Sequence, residues 1–311
     1  MALVLQEVSE DSEPLQLMER ALGVRPLRAV LQSLSESGKS VYRVDLPDGQ
    51  AVVLRTSVRP RTFAFTRSNF DALARLGLPV QSVLAKGTTT SGGSFVILNW
   101  MPGRDLIHEL GAMSQSRITA LAAQIVEYQQ RVGALPRPAR FGWAPIGRSG
   151  NLERWTQVFG EAAPASAVND GTLIGGLRAR LCTLRRRVEP YFDTVRPTAF
   201  LDDITTKNVL IENGQLSGII DVDFVCYGDP LLWIGATMAA VAGDVPQAGA
   251  FYGEELIRCW NPNSQQRLAI WFYAALWGIG SLHLTDAIAN PSRAQSLKNA
   301  CETWLAIAQG E

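Results

Sequence analysis

The chain has 311 residues, 47% of them apolar and 19% charged. Charge is below the usual quarter, so much of the chain is expected to be buried, and at about 150 residues per domain the length suggests two domains with their own cores. Lys plus Arg and Asp plus Glu balance at 29 each, which excludes the overall basic field of a nucleic-acid or membrane-surface binder and favours a neutral or modestly charged small substrate.

The chain opens Met1-Ala-Leu-Val-Leu and continues into acidic residues, with no secretory leader. Its four cysteines (Cys182, Cys226, Cys259, Cys301) are far apart and form no C-x-x-C pair, so reduced thiols in the cytoplasm are expected. Val30–Leu34, Val41–Leu46 and Ala51–Thr56 are short β-branched runs, broken by Ser35-Glu-Ser-Gly-Lys-Ser40 and by Pro47-Asp-Gly49. Two successive hairpins predict an antiparallel meander. Gly38-Lys39-Ser40 is not a Walker A loop: Ser33 stands where the first Gly belongs, and a strand follows where a helix is required.

Phe63–Leu76 carries apolar residues near helical spacing, and Gly77-Leu-Pro79 ends it. Phe95–Leu98 reads as a buried strand that Pro102-Gly103 stops. Ile118, Leu121, Ile125, Tyr128 and Val132 step by three and four along one buried helix face. After a linker-like stretch over 162–171, a second stripe runs from Leu173 to Phe192. Its outer arginines (Arg178, Arg180, Arg185–Arg187) form either a solvated face or an anion site.

The apolar run Leu268–Leu282 is shorter than a bilayer span and reads as a core helix. His108 and His283 lack metal-ligand spacing and read as structural. Trp260, Trp271, Trp277 and Trp304, with Phe251–Leu256, are core aromatics or, beside Glu254 or Glu255, a pocket for a cationic amine.

The chemistry concentrates in Ala199-Phe-Leu-Asp-Asp-Ile-Thr-Thr-Lys-Asn208-Val-Leu-Ile-Glu-Asn-Gly-Gln-Leu-Ser-Gly-Ile-Ile-Asp221. Asn213-Gly214 between apolar runs signals a two-residue type I′ hairpin, because both residues tolerate positive φ. Such a loop pairs Glu212 with Gln215 and, counting back, Asn208 with Ile219; period-2 alternation then returns Asp221 to the face of Asn208. Asp203 lies one short loop upstream, at the end of the expected strand Thr198–Leu201. Side-chain oxygens of this kind suit a hard cation such as Mg²⁺.

This arrangement resembles the catalytic core of the protein-kinase-like fold, H-x-D-x-x-x-x-N followed by a metal-binding Asp. Only Asp203, not Asp202, stands five before Asn208. Asp221-Val-Asp-Phe-Val-Cys-Tyr-Gly-Asp-Pro230 further resembles the I-D-W-x-x-x-x-G-D-P stretch of the aminoglycoside phosphotransferase family. The resemblance implies an α+β, bilobal fold: an N-terminal antiparallel sheet lobe over 1–98, a hinge over 99–103, and a mostly helical catalytic and substrate-binding lobe over 104–311. It implies ATP- or GTP-dependent transfer of a γ-phosphate to a small-molecule hydroxyl of aminoglycoside, sugar or amino-alcohol type. Asp203 would be the catalytic base, with Asn208 and Asp221 as Mg²⁺ ligands. Ser37, Gly38, Lys39 and Ser40 would form the nucleotide-covering loop, Arg55 would replace the strand-3 lysine that grips phosphates, and the backbone of Asn99 and Met101 would meet the base. The alternatives are an exposed strand arginine at 55, an exposed loop lysine at 39 and a plain interdomain loop at 99–103.

The pattern also departs from the family. Leu201 replaces the motif His, Trp233 stands where an Asp tends to follow G-D-P, and Asn69 occupies the place of the helix Glu that pairs with the strand-3 base. These losses open a second reading, a nucleotide- or small-molecule-binding pseudoenzyme with a regulatory role. Asp223 either assists the metal or caps the turn, and Lys207 is either a γ-phosphate contact or a plain loop lysine.

Overall fold

The structure, a computed structural model, describes residues 6–9, 12–35, 37–162, 173–284 and 290–310. The linker-like residues 163–171 and the side chain of His283 lie outside that description. The chain divides into two compact units, Met1–Arg75 with Pro79–Pro102 and Leu76–Leu78 with Gly103–Glu311.

In the first unit the elements are β1 (Gln6–Glu7), α1 (Glu13–Leu22), β2 (Arg28–Leu34), β3 (Lys39–Asp45), β4 (Ala51–Ser57), α2 (Thr66–Arg75), β5 (Val83–Thr88) and β6 (Ser94–Asn99). The strands form one sheet in the order β1-β2-β3-β4-β6-β5, every pair antiparallel. The expected meander is therefore present. Strand alternation sends Val52 and Leu54 to one face, where they join Leu15, Leu17 and Met18 of α1 in the core. Burying each of these side chains stabilises the unit by about 1.5–3 kcal/mol. A left-handed Gly23 (φ 70) ends α1 by returning its N–H to the Glu19 carbonyl.

The second helix begins at Thr66 rather than Phe63. Phe63 is buried in the preceding turn, its ring 5.3 Å from the Arg55 guanidinium carbon.

The second unit runs β7 (Arg104–Asp105), α3 (Leu106–Glu109), a 3₁₀ turn at Leu110–Ala112, α4 (Gln115–Gly133), β8 (Gly142–Ala144), a 3₁₀ segment at Trp155–Ala162 and α5 (Leu173–Phe192). It continues with β9 (Thr198–Phe200), β10 (Val209–Glu212), β11 (Gln215–Ile219), β12 (Val225–Gly228), α6 (Leu231–Asp244), α7 (Pro246–Trp260), α8 (Ser264–Leu284) and α9 (Pro291–Gln309). Two small sheets, ordered β11-β10-β7 and β8-β12-β9, sit among the helices. Helix α4 buries the stripe read from sequence, and Ala269, Ile270 and Phe272–Ala275 of α8 lie in the core. Among the described residues no helix is long and apolar enough to cross a membrane.

Two of the arginines of α5, Arg180 and Arg187, serve a helix end, while Arg185 pairs with Glu189. Arg187 Nη1 donates to the Ala308 carbonyl at 2.6 Å, and Arg180 Nη2 donates to Gln309 Oε1 at 2.8 Å. Both contacts meet the last turn of α9, where carbonyls without helical partners carry partial negative charge.

Candidate active site

The loop from Leu201 to Asn208 is held by two helices and by its own buried side chains. Gln129 of α4 accepts the Leu201 N–H at 3.0 Å and donates to the Leu201 carbonyl at 2.7 Å. The Ile107 N–H of α3 donates to the Thr206 carbonyl at 3.1 Å. Ile204 and Thr206 are buried at 1% exposure each, anchoring the loop from beneath. Between these anchors Asp203 stays exposed, its carboxylate accepting from Thr205 Oγ1 at 3.2 Å. Asn208 Nδ2 donates to the Asp203 carbonyl at 2.8 Å, so the amide that follows the acid by five residues also closes its loop.

The hairpin turn matches its sequence signal: Asn213 and Gly214 have φ of 53° and 76°, and Glu212 pairs with Gln215. The expected pairing of Asn208 with Ile219 is corrected by one residue. A bulge inserts Ser217, so Val209 stands opposite Ile219 and Asn208 accepts from the Ile220 N–H at 3.0 Å. Strand alternation therefore does not carry Asp221 to its place. Asp221 leaves the strand with φ 58°, a left-handed conformation that short polar residues tolerate best. That turn, rather than the pleat, sets its direction.

Although part of its surface is open to solvent, the protein packed around the Asp203 carboxyl raises it above the ordinary range, and the nearby Asp221 charge pushes the same way while the Thr205 hydrogen bond opposes it. Burial likewise raises Asp202, whose Oδ2 accepts from Trp143 Nε1 at 2.6 Å. The Asp221 charge acts on both aspartates, so these carboxylates share one local field.

The donor set fits Mg²⁺. Asn208 has committed its Nδ2 to the loop, which leaves Oδ1 as the atom that could face a cation, and Asp221 could add a carboxylate. One or two protein oxygens completed by substrate phosphates is how Mg²⁺ is ordinarily held. Among the described residues no three His, Cys, Asp or Glu side chains form a cage of their own. His108 is exposed on α3.

A cavity of about 380 Å³ opens at this loop, lined by Asp202, Asp203, Thr205, Thr206 and Lys207 together with residues of α6, α8 and α9. Of the four tryptophans weighed for a pocket, Trp277 lines this one. Trp304 is core, Trp260 stands against Trp233 at 6.4 Å, and Glu255 is paired with Arg258 at 2.8 Å. The segment Phe251–Leu256 is not among the described lining residues.

The Gly-Asp-Pro turn is an anchor. Asp229 is buried; Oδ1 accepts from the Leu231 N–H at 3.1 Å and Oδ2 from Tyr273 at 2.8 Å. Trp155 Nε1 in turn donates to Tyr273 at 2.7 Å. Gly228 is required because a Cβ there would lie 1.8 Å from the Trp155 ring. Asp223 is buried one turn earlier, and Trp233 is core, its indole N–H lacking a hydrogen-bond partner among the described residues.

In the first unit Arg55 lies mid-sheet between Val41 and Val96, only 8% exposed, so the exposed-arginine alternative does not hold. Asn69 is fully buried in α2. The loop Ser37–Ser40 turns through a left-handed Gly38 (φ 76), but satisfies its own amides: Gly38 N–H donates to the Ser35 carbonyl at 3.0 Å and Lys39 N–H to Ser35 Oγ at 3.0 Å. Lys39 is exposed. Asn99 belongs to β6, its N–H bonded to the Ser82 carbonyl at 3.2 Å and its carbonyl accepting from Gln81 at 3.0 Å, whereas Met101 sits half-buried in the following coil.

Sequence reasoning did not find Gln129 or Trp143. Gln129 had a signal, an amide inside the apolar stripe of α4, where a buried polar group must have partners. Trp143 had none.

An antiparallel-sheet unit, a helical unit and an Asp–Asn–Asp loop and hairpin together define a protein-kinase-like phosphotransferase. Residues 31–288 match the phosphotransferase enzyme family, APH, and the chain belongs to that family of small-molecule kinases. It is similar in fold to a thermostable mutant of aminoglycoside phosphotransferase APH(4)-Ia solved with ADP and hygromycin B, at 18% identity and TM-score 0.66, covering 93% of this chain and 96% of that one. A putative fructosamine-3-kinase from Thermobifida fusca YX-ER1 matches at 14% identity and TM-score 0.58, over 95% of this chain and all of that one. Spectinomycin phosphotransferase APH(9)-Ia, solved with ADP and spectinomycin, matches at 12% identity and TM-score 0.57, over 95% and 96%. No curated protein matches the chain.

Proposed function

We propose that this protein transfers the γ-phosphoryl group of ATP, or GTP, to a hydroxyl of a small molecule. The observation that carries the reading is the closed loop itself: Asn208 tethered to Asp203, with Asp203 opening onto the cavity and within the field of Asp221. An acceptor hydroxyl bound there would donate to the Asp203 carboxylate, which draws off the proton late in transfer; burial that raises its basicity favours that role. Asn208 Oδ1 and the Asp221 carboxylate would hold Mg²⁺. When bound, Mg²⁺ neutralises charge on the β- and γ-phosphate oxygens.

In the first unit Arg55 is proposed to bind phosphate, its guanidinium able to make bidentate contacts that a lysine cannot. The Ser37–Ser40 loop would contribute amides only by exchanging its internal bonds. The base is assigned to Asn99 and Met101, with the second lone pair of the Asn99 carbonyl as acceptor. The cytoplasm, which supplies ATP and keeps thiols reduced, is the proposed compartment; no disulfide joins the cysteines.

The binding-only alternative rests on the missing motif His, on Trp233 after Gly-Asp-Pro and on Asn69 in place of the helix Glu. Gln129 weakens it by bracing the loop at Leu201. Asp203→Ala decides between them. Transfer of label from γ-labelled ATP should fall at least about 10³-fold while Mg·ATP affinity by calorimetry changes by no more than about threefold. Undiminished transfer in that variant would remove Asp203 from the mechanism.

A further inference from the structure

We propose that Asp202 is a specificity residue whose carboxylate takes an ammonium group carried on a carbon next to the reacting hydroxyl of the acceptor, and that Trp143 is the positioning residue that aims it. The inference rests on the phosphotransferase reading and gives a role to Asp202, which the H-x-D motif leaves unassigned.

Charge is the first observation. The described lining of the cavity sets Asp202, Asp203 and Asp244 against Lys207 and Arg293, so carboxylates outnumber cations. Asp244 is paired with Arg293 Nε at 2.7 Å. The Lys207 charge acts on Asp203, favouring its ionised form. The charges that act on Asp202 are those of Asp203 and Asp221, both negative. A half-buried carboxylate beside two others is electrostatically unfavourable, and an ammonium set against it would offset that repulsion. The rest of the described lining is uncharged, so discrimination of acceptor charge falls to Asp202.

Hydrogen bonding and spacing give the second. Trp143 stands on β8 opposite Cys226 of β12, and its Nε1–H donates to Asp202 Oδ2 at 2.6 Å. At 44% exposure this tryptophan adds little to the core, whereas its N–H fixes a carboxylate of the cavity wall. An ionised carboxylate has about four acceptor positions. Trp143 and the Asp202 backbone N–H fill two of them, which leaves room for a ligand donor. Asp202 and Asp203 are consecutive, so their Cα atoms lie about 3.8 Å apart, and both line the same cavity. Groups bound to the two carboxylates therefore belong on neighbouring atoms of one ligand. A 2-amino alcohol unit, with its hydroxyl on Asp203 and its ammonium on Asp202, meets that requirement.

The test offers the full-length protein γ-labelled ATP with glucosamine, whose ammonium neighbours two hydroxyl-bearing carbons, and with glucose, which has no ammonium. The expected result is label on glucosamine with kcat/KM at least about tenfold above glucose. Asp202→Asn keeps the shape and an acceptor for Trp143 but loses the charge, and should bring that ratio to within about threefold of unity. Trp143→Phe should raise KM for glucosamine at least about threefold while kcat changes less than about twofold, because the base Asp203 is untouched. Thermal melts confirm that each variant folds; if Asp202→Asn does not, Trp143→Phe carries the test. Equal or faster labelling of glucose overturns the proposal, as does a preserved ratio in folded Asp202→Asn or an unchanged KM in Trp143→Phe. Label on neither acceptor, while Mg·ATP still raises the melting temperature, overturns it too. If Mg·ATP produces no such rise, the phosphotransferase reading itself falls.

Discussion

Gln129 grips the backbone of Leu201 at both of its polar atoms, donating to the carbonyl at 2.7 Å and accepting the N–H at 3.0 Å across 72 residues of sequence. The family places a His at the start of this loop, and here an apolar side chain stands instead. The backbone of that apolar residue is braced by a side chain of α4.

Removing that clamp strands two buried backbone groups. Gln129→Ala should cost about 2–4 kcal/mol of stability, since each buried group left without a partner costs about 1–3 kcal/mol. Gln129→Glu keeps the acceptor but sets a carboxylate oxygen against the Leu201 carbonyl in a buried site, so at neutral pH its loss should be at least as large as that of the alanine variant. Urea melts check the stability order. Turnover should fall more than Mg·ATP affinity in both variants, because the loop carries Asp203; equal losses would mean the clamp serves the fold alone.

Asp229 gives the protein a pH signature. Complete burial pushes its carboxyl up to about 6 from an ordinary 3.8, against the hydrogen bonds from Leu231 and Tyr273 that favour the charged form. The folded state thus holds this proton more tightly than the unfolded chain. Its contribution to stability is greatest below about pH 4, declines as pH rises from about 4 to 6, and is flat above, a change of about 3 kcal/mol. Asp229→Asn removes the titration, so the difference in unfolding free energy between wild type and variant should slope across that window. A parallel pair of curves would show that Asp229 titrates normally.

Gly228 sits where no side chain fits. Gly228→Ala would press a methyl against Trp155, which holds Tyr273 and through it Asp229. Overpacking of this kind costs about 1–3 kcal/mol, and the upper part of the range is expected because the aromatic ring is itself buried. Thermal melts check this; a variant as stable as wild type would mean the Trp155 ring can move aside.

Where pattern is local, the residues told the structure. The Asn213-Gly214 turn, the strand meander of the first unit and the buried stripe of α4 all follow from φ preferences and side-chain periods acting over a few residues. The register beyond the turn did not follow, because the bulge at Ser217 has no residue signature of its own and one inserted residue shifts every later pairing. The Asp203–Asn208 spacing pointed to the proposed chemistry, yet the direction Asp221 takes near Asp203 depends on a left-handed residue that alternation does not anticipate.

By itself, then, the amino-acid order determined the elements, the tight turn and the identity of the oxygen-bearing side chains, since these depend on neighbours along the chain. Only the tertiary structure decided that Gln129 braces Leu201, that Trp143 holds Asp202, and that Asp244 is neutralised by Arg293 at the cavity beside Asp203. Those pairs are separated by roughly 50 to 70 residues, and what brings them together is the packing of helices and small sheets, which no short window of sequence contains.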